Sequence, residues 1–528
     1  MTLPPDIDAK RFAAAIRELR TVVGGDWVFT SDEDVDLYRD AYTPFYGEPE
    51  EYIPCGAVAP DSVEQVQEVV RLANRYRLPL WPISTGRNLG YGGAAPRLSG
   101  TMVLDLKRMN RVLEVNDTLA YALVEPGVSY FDFYRHLRDN NHKVWMDCPD
   151  PGWGSLIGNA LDHGLGHTVY RDHFDSHCGM EVVLASGELM RTGMGAMPNN
   201  PLWQGFKYGF GPHISPIFGQ SNLGIVTKMG FWLLPEQDEV RSHIVSVRRN
   251  SDLEAFLDTM SYLVNSGLID SSWQLVSGIR GSSDPEIRAA MAAQAPDAEL
   301  ERLGAAKNLG YWSTRIRFYG PSAVNAARWD YVRKRMAGIP DVFFADGKVY
   351  TFPMNTDTVQ DEPDDLFAKG GLGIPSLAIF SLGARNGSQG HIFFSPIIPA
   401  TASEYRKALE VFRQAYADLG LPPLNLVGGW SWYKRTLVLL FNMPITHDVA
   451  SNQRMRANYR KLVQIGADHG WSEYRTAPAF MDDVMNQLSF NNHALRRFHE
   501  TVKDALDPNG ILAPGKSGIW PKRLRGKP

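Results

Sequence analysis

The sequence predicts an α+β protein of two domains, with a C-terminal segment that returns to the first domain. Its 528 residues allow two to four structural units at roughly 100–200 residues per domain. The first half alternates helical and strand patterns, the pattern changes near residue 240, and the tail regains the turn-rich character of the first half. We therefore expect a first domain at 1–237, a second at 238–470, and a completing segment at 471–528.

Composition excludes several classes of protein. With 44% apolar and 21% charged residues the chain is typical of a globular protein. A net charge of -5 without a basic run argues against binding to nucleic acid or to an anionic membrane. No apolar stretch reaches about 18 residues, and the N-terminus lacks a signal pattern. Three scattered cysteines (Cys55, Cys148 and Cys178) indicate a reducing compartment, so we predict a cytoplasmic protein.

The elements of the first half follow from local patterns. Ser62 and Gln65 form a capping-box signature before a helical apolar face that runs through Ala73. Residues 179–193 predict a hairpin that turns at Ser186–Gly187. Strands are predicted at 78–83, 101–106, 121–128 and 221–235. In the second half we predict a strand at 243–249, a helix at 251–267, a surface excursion at 281–307, and further strands and helices to about 465.

A glycine-rich stretch, PISTGRNLGYGG (82–93), follows the first of these strands. It matches neither G-x-x-x-x-G-K-[ST] nor a G-x-G-x-x-G that opens a helix, because Pro96 disfavours a helix there. Such a loop can form an anion-binding nest of backbone N–H groups, with further donors from its polar side chains. An ordinary glycine turn is the alternative at this point.

Eight stretches occur in an order and spacing that resemble the vanillyl-alcohol oxidase family of flavoproteins, in particular its 4-alkylphenol branch. They are STGRNLGYGG, VEPGV, GN with HGLG, GMEVVLASGELMRTG, SNLGIVTKMG, GHIFFSP, EYRT and DPNGILAPGKSGIW. Each is weak alone, but together they extend nearly end to end. The resemblance implies FAD, with its pyrophosphate in the glycine loop. The implied FAD-binding residues are Ser84, Thr85, Gly86, Arg87, Asn88, Gly90, Gly127, Gly158, Asn159, Gly224, Ile225 and Lys516.

The resemblance also implies oxidation of 4-alkylphenols through a p-quinone methide, with O2 reduced to H2O2. Tyr91, Tyr474 and Arg475 fall on the family's phenol-binding positions, where hydroxyls and a guanidinium stabilise phenolate. Asp150 falls on the acid–base carboxylate near the benzylic carbon. The residues alone permit plainer interpretations: a surface arginine on an edge strand for Arg475, and a turn residue for Asp150.

His391 falls on the histidine that tethers FAD through its 8α-methyl group in oxidase-like members; a structural histidine is the alternative. The chain reads GHTVYRDHF where relatives read GYTPYGDHF, so His167 and Arg171 replace tyrosine and glycine. We expect both to line the substrate pocket with Tyr170 and Trp430, although Arg171 facing solvent is an alternative. The aromatic GGWSWYKR stretch could stack on a second ring, as in a lignin-derived dimer.

Other functions remain as alternatives at this point. A dehydrogenase or hydroxylase of the same fold would pass electrons to a cytochrome instead of O2. A non-catalytic flavin- or aromatic-binding protein and a sugar or hydroxy-acid oxidase fit less well, because neither needs the tyrosine–arginine site with Asp150. Four histidines between His163 and His177 suggest a metal, but the glycines among them disfavour the helix it would need, so we predict none. The family favours homodimers or larger homo-oligomers.

Overall fold

The computed structural model describes residues 2–353, 366–380, 389–424 and 428–526. The helices are α1 Ala9–Val23, α2 Asp32–Asp36, α3 Val63–Tyr76, α4 Tyr130–Asp139, α5 Leu156–Leu161, α6 Leu253–Asn265, α7 Pro285–Ala292, α8 Asp297–Ala306, α9 Ser322–Met336, α10 Leu366–Gly371, α11 Ala402–Asp418, α12 Val449–Asp468, α13 Met481–Gln487 and α14 Phe490–Leu506. The strands are β1 Val28–Phe29, β2 Gly56–Val58, β3 Leu80–Ile83, β4 Met102–Asp105, β5 Val112–Asn116, β6 Tyr121–Val124, β7 Val144–Trp145, β8 His177–Leu184, β9 Leu189–Arg191, β10 Gly224–Trp232, β11 Leu234–Pro235, β12 Glu239–Val247, β13 Trp273–Leu275, β14 Trp312–Gly320, β15 Phe343–Thr351, β16 Gly390–Phe394, β17 Ile397–Pro399, β18 Gly429–Ser431, β19 Thr436–Leu439 and β20 Phe441–Ile445.

The N-terminal region contains a four-stranded sheet in the order β1-β2-β4-β3. Strands β2, β3 and β4 are parallel, and β1 is antiparallel to β2. Helix α3 begins as the sequence predicts, since the Ser62 side chain accepts from the Gln65 N–H. The chain near the C-terminus returns to this sheet: Leu80 donates to the Ile511 carbonyl at 2.7 Å, and Ala513 donates to the Leu80 carbonyl at 2.7 Å. This pairing places the tail beside the glycine loop.

A second sheet is antiparallel, in the order β5-β6-β10-β8-β9. The predicted hairpin joins β8 to β9, and Gly187 adopts a left-handed φ of +83° in its turn. The predicted strand at 221–235 forms as β10 and β11, which pair with β8 and β7 respectively. The loops at one end of this sheet lead into the segments that surround the glycine loop.

The second half packs a three-stranded sheet, β14-β12-β15, and a four-stranded sheet, β13-β18-β19-β17, with helices α6, α9, α11 and α12 around a shared apolar core. Its largest buried side chains include Phe256, Phe318, Phe394, Phe412 and Tyr459. Strands β16 and β20 form a separate pair. Our domain division at 237 and 470 stays a prediction.

The predicted surface excursion at 281–307 is largely exposed and contains two short helices, α7 and α8. Asp284 caps α7 by accepting from two backbone N–H groups, and Pro285 occupies the first turn, where its missing N–H costs nothing. Ile287, Leu300 and Leu303 are buried, so the few apolar residues of this stretch lie on the inner face. No helix of the described residues is long and apolar enough to span a membrane.

Candidate active site

A cavity of about 540 Å³ lies where the glycine loop meets the segment 149–162, strand β16 and the C-terminal residues 474–516. Most of the predicted site residues line it. They are Ser84, Thr85, Gly86, Arg87, Asn88, Tyr91, Asp150, Gly158, Asn159, Gly224, Ile225, His391, Trp430, Tyr474, Arg475 and Lys516. Five predicted site residues, all within the described part of the chain, do not line the cavity. They are Gly90, Gly127, His167, Tyr170 and Arg171.

The glycine loop folds over the cavity through a tight turn. Asn88 donates to the Gly92 carbonyl at 3.2 Å, and Tyr91 donates to the Asn88 carbonyl at 3.0 Å. Gly86 has a left-handed φ of +66°, which a residue with a side chain rarely adopts. A Cβ added to Gly158 would lie 2.2 Å from the Ser84 Oγ. The missing side chain at Gly158 therefore lets Ser84 of the glycine loop pack against helix α5.

Gly90 and Gly127 serve packing within the protein. A Cβ on Gly90 would meet the Phe393 ring at 2.2 Å, and one on Gly127 would meet the Lys107 carbonyl oxygen at 2.4 Å. Both positions are next to the cavity wall in sequence, since Tyr91 and Pro126 line it. The two glycines therefore allow close packing behind the residues that form the cavity wall.

Tyr91, Tyr474 and Arg475 meet at one place in the cavity. The hydroxyls of Tyr91 and Tyr474 are 3.4 Å apart, and the Arg475 guanidinium carbon lies 4.0 Å from the centre of the Tyr91 ring. The Arg475 Nε is buried without a hydrogen-bond partner among the described residues. Arg475 therefore turns inward, unlike a surface arginine on an edge strand.

Electrostatics keep this arginine charged and the tyrosine neutral. Burial lowers the pKa of Arg475, but the neighbouring Tyr474, Tyr91 and Asp162 outweigh it, so the pKa lies above its ordinary value. Burial, reinforced by Tyr474, raises the pKa of Tyr91 well above its ordinary value. The site thus offers one fixed positive charge and hydroxyl donors to an anionic oxygen.

Two further residues near the tyrosines were not singled out from the sequence. Ser395 Oγ lies 2.6 Å from the Tyr91 hydroxyl, and the Ser395 N–H donates to Glu473 Oε2 at 2.9 Å. Tyr459 contacts both Glu473 oxygens, at 3.0 and 2.8 Å. Burial raises the pKa of Glu473 to about 8. Ser395 lies in the GHIFFSP motif and Glu473 in the EYRT motif. These motifs are the signal that could have identified the two residues.

Asp162 is a third residue missed from the sequence, and it joins three parts of the site. Its carboxylate accepts from Asn88 Nδ2 at 3.1 Å and from Lys516 Nζ at 2.7 Å. Arg475 Nη1 approaches its main-chain oxygen at 3.5 Å. Burial raises the pKa of Asp162, but Lys516 and Arg475 outweigh it, so the pKa is lower than usual. An ionised Asp162 thus ties the glycine loop to the C-terminal segment.

Asp150 lines the cavity, and His167 holds it from behind. His167 Nε2 lies 2.7 Å from Asp150 Oδ1, and its side chain is only 3% exposed. We expected His167 to line the cavity. It does not, because its ring contacts the Asp150 side chain instead. The Asp150 carboxylate thus lies in the same cavity as the arginine–tyrosine group.

The other two expected pocket residues also face elsewhere. Arg171 is buried with a left-handed φ of +45°, so it faces neither the cavity nor solvent. Burial lowers its pKa, against the nearby Asp270 and Asp147. The Tyr170 hydroxyl donates to the Leu233 carbonyl at 3.0 Å. Arg171 and Tyr170 therefore pack within the protein and are not part of the cavity surface.

An aromatic pair forms another part of the cavity wall. Trp430 and Trp432 both line the cavity, and their rings stack with centroids 4.8 Å apart and planes within 6°. Tyr433, from the same stretch, contacts Tyr474 edge-on at 6.4 Å. The stack gives the cavity a flat apolar surface close to the tyrosines.

His391 lies on β16 at the cavity edge, between the rings of Tyr42 and Phe393. Burial lowers its pKa, which keeps the imidazole neutral at neutral pH. Its Nε2 is buried and has no hydrogen-bond partner among the described residues. The alternative of a structural histidine satisfied by hydrogen bonds therefore does not account for it.

Two of the four histidines between His163 and His177 contact neighbouring protein groups through Nδ1. His173 Nδ1 contacts Asn159 at 2.6 Å, and His177 Nδ1 contacts the Phe174 carbonyl. No group of three or more potential metal ligands occurs in the part of the chain that the structure describes.

The cavity fits FAD on observations of this chain alone. The glycine loop, Gly158 and Lys516 line the cavity together, and backbone N–H groups of such a loop with a lysine suit a diphosphate. Among the buried nitrogens that lack hydrogen-bond partners, His391 Nε2 and Arg475 Nε belong to residues that line this cavity, and such atoms in a native structure call for an explanation. A bound flavin would supply one.

The comparisons agree with this fit. Residues 54–193 match the FAD binding domain family. The chain is 32% identical over 98% of its length to the 4-cresol dehydrogenase [hydroxylating] flavoprotein subunit of Pseudomonas putida, covering 97% of that protein. It is 29% identical over 88% of its length to the 1'-carboxy-chondrochloren decarboxylase of Chondromyces crocatus, covering 91% of it.

Solved structures of similar proteins also agree with a flavin-binding site. A 4-ethylphenol oxidase from Gulosibacter chungangensis, in complex with isoeugenol, superposes with a TM-score of 0.85 at 34% identity, over 99% of this chain and 100% of that one. A substrate-bound p-cresol methylhydroxylase gives 0.85 at 31% identity, over 98% and 99%. The fold and site thus define an FAD-dependent oxidoreductase. The chain belongs to the vanillyl-alcohol oxidase/4-cresol dehydrogenase family of flavoproteins.

Proposed function

We propose that the protein oxidises 4-alkylphenols at the benzylic carbon and that O2 is the final electron acceptor, forming H2O2. The observation that carries this proposal is the convergence of Tyr91, Tyr474 and Arg475 in a cavity that Asp150 also lines. The similar 4-ethylphenol oxidase and p-cresol methylhydroxylase support the same substrate class. FAD, when bound, accepts the hydride.

The arginine–tyrosine group prepares the substrate. The charged Arg475 and the hydroxyls of Tyr91 and Tyr474 donate to the phenol oxygen, and charge-assisted hydrogen bonds favour its phenolate form. Electron density from the phenolate then assists hydride loss from the benzylic carbon, which leaves a p-quinone methide. Because these donors are fixed in the folded protein, they need little rearrangement during the reaction.

Asp150 manages the proton in the next step. Water adds to the benzylic carbon of the quinone methide, its proton passes to the Asp150 carboxylate, and the electron pair returns to the phenolate oxygen. The product is a benzylic alcohol. A protein that merely binds flavin or an aromatic molecule would not require a carboxylate in this place.

The test is reduction of the purified flavoprotein by 4-ethylphenol without oxygen, followed by admission of air. We expect bleaching of the flavin absorbance with substrate and release of one H2O2 per reduced flavin with air. Glycolate and D-lactate serve as control substrates and should leave the flavin oxidised. Bleaching by a hydroxy acid but not by the phenol would contradict the proposal.

A cytochrome is the second candidate acceptor. The 32% identical relative is a flavoprotein subunit, which implies a partner subunit in that enzyme. Reduced enzyme that is stable in air but reoxidised rapidly by a c-type cytochrome would favour this acceptor and leave the phenol chemistry unchanged.

We also propose that His391 tethers FAD covalently. Its neutral imidazole lies at the cavity wall with an unpartnered nitrogen. Acid-precipitated protein should keep its yellow colour, whereas His391→Ala should bind FAD in the native state and release it on precipitation. Loss of all flavin from the unmutated protein on precipitation would overturn the tether.

The stacked Trp430 and Trp432 further suggest substrates with a second aromatic ring, as found among lignin-derived phenols. Offset stacking on an aromatic surface contributes about 0.5–1.5 kcal/mol. Trp430→Ala should therefore raise KM for a two-ring phenol about two- to tenfold more than for 4-ethylphenol. Equal effects on both substrates would place the second ring elsewhere.

A further inference from the structure

His167 is tied to Asp150 by a short contact and to the chain by its own backbone. Nε2 lies 2.7 Å from Asp150 Oδ1, and the His167 N–H donates to Asp147 Oδ1 at 2.8 Å. Asp147 is itself buried; burial raises its pKa, but His173 and His167 outweigh this, so the pKa is lower than usual. An ionised Asp147 thus anchors the backbone of the residue whose ring holds Asp150.

Neighbouring groups also confine the His167 ring. Gly370, at the end of α10, lies so close that an added Cβ would be 2.5 Å from His167 Cδ2. Trp430 covers another side, with ring centroids 6.1 Å apart. The ring is 3% exposed while Asp150 is 23% exposed. The imidazole is therefore the buried, fixed member of the pair, and the carboxylate is the member that faces the cavity.

We propose that His167 is a positioning residue that orients the Asp150 carboxylate for addition of water to one face of the oxidised substrate. This inference rests on the proposed function. An ionised carboxylate can only accept hydrogen bonds, so Nε2–H donates to Oδ1 and leaves the other oxygen to accept the proton of the incoming water. Fixing one oxygen fixes the direction in which the other points.

Orientation by His167 has a stereochemical consequence. Oxidation of 4-ethylphenol followed by hydration gives 1-(4-hydroxyphenyl)ethanol, whose benzylic carbon is a stereocentre. Water delivered beside a fixed carboxylate adds to one face of the quinone methide. Water that adds without this guidance, or after the intermediate escapes to solvent, gives both enantiomers.

The test compares two substitutions with different chemistry. His167→Phe keeps a ring of similar size against Gly370 but has no donor, whereas His167→Gln keeps an N–H donor. We expect His167→Phe to lower the ratio of major to minor enantiomer at least fivefold and His167→Gln to retain most of it. Thermal unfolding of both holoproteins should match the unmutated protein within a few degrees.

Several outcomes would overturn the proposal. They are an unchanged enantiomer ratio in His167→Phe, an equal loss in both variants, and an unmutated enzyme that forms vinylphenol but no alcohol. Failure of the unmutated protein to oxidise any 4-alkylphenol is a different result, because it contradicts the proposed function.

A measurement that needs no turnover distinguishes failure of the His167 proposal from failure of the proposed function. In the flavin-loaded full chain labelled with 15N-histidine, the His167 resonances are assigned by their loss in His167→Gln. Asp150→Asn should shift the Nε2 resonance of His167 more than that of any other histidine. An unmoved Nε2 resonance would show that the two side chains do not interact in solution, whatever the substrate.

Discussion

At the scale of single residues, the proposed phenolate site depends most on the charged Arg475 in the cavity. Arg475→Ala removes a charge-assisted hydrogen bond worth about 1.5–3 kcal/mol. Flavin reduction by a 4-alkylphenol should therefore slow about ten- to a hundredfold, measured by stopped flow. Arg435, an exposed arginine on another segment, provides the control: Arg435→Ala should reduce flavin at the unmutated rate. An Arg475→Ala protein as fast as the unmutated one would remove Arg475 from the substrate site.

Glu473 predicts a pH dependence of stability. Its pKa rises to about 8 in the folded protein, against about 4.3 in an unfolded chain. Between these values the folded state holds a proton that the unfolded state has lost, so the contribution of Glu473 to stability falls as pH rises from about 4.3 to 8. Glu473→Gln does not titrate. The Tm of the unmutated protein should therefore fall relative to Glu473→Gln between pH 5 and 8.

The matched control for this titration is an exposed carboxyl, Glu410. The Tm difference between the unmutated protein and Glu410→Gln should stay nearly constant over the same range. A constant difference for Glu473→Gln as well would mean that water or a counter-charge reaches the buried carboxyl.

At the scale of elements, Gly127 sets the spacing between two connections of the first half. Gly127→Ala places a Cβ 2.4 Å from the Lys107 carbonyl oxygen, and such overpacking against backbone costs about 1–3 kcal/mol. We expect a lower Tm and weaker FAD binding, since Pro126 lines the cavity. Gly25→Ala is the control, because its Cβ would meet nothing within 4 Å and the residue lies away from the cavity. Equal Tm values for the two variants would contradict this account.

The sequence predicted most elements where local pattern decides structure. The cap at Ser62, the strand at Leu80 and the turn at Gly187 depend on neighbours in the chain, and all three form. The stretch 281–307 lies largely at the surface as predicted, but its two helices were not predicted because its apolar residues are few; Ile287 and Leu300 are the ones that pack on the core.

Side-chain direction in the site was harder to predict. His167 and Asp150 are 17 residues apart, and Ser395 reaches Tyr91 over 304 residues. Neither contact follows from the repeat of a helix or a strand, so no local sequence pattern predicts it. The motifs therefore located the loops, whereas tertiary packing decided that Arg171 turns away from the cavity and Arg475 turns toward it.

At the scale of the whole molecule, a buried ion pair holds the C-terminal region together and connects it to Asn222, just before β10. Lys503 and Asp507 are fully buried with their charges 2.7 Å apart. Lys503 also donates to the carbonyls of Asn222 and Leu512, and Asp507 accepts from the N–H groups of Ile511 and Leu512. Every strong donor and acceptor of the pair is thus used.

Removing one partner of such a pair costs about 3–5 kcal/mol, because the remaining charge stays buried. Lys503→Met should lower the free energy of unfolding of the holoprotein by this amount in guanidinium titrations. Lys434→Met, at an exposed lysine, should change it by less than about 0.5 kcal/mol. A Lys503→Met protein as stable as the control would show that the tail is held by other contacts.

The pairing of the tail with Leu80 has a consequence for biosynthesis. Tyr91 leaves the ribosome 383 residues before its partner Tyr474, an interval of roughly 20–80 s at about 5–20 residues per second. During that time the nascent chain carries the glycine loop without the wall that faces it. The cleft is completed only after residues 474–516 have been translated, so capture of the cofactor in the closed cleft cannot precede their synthesis.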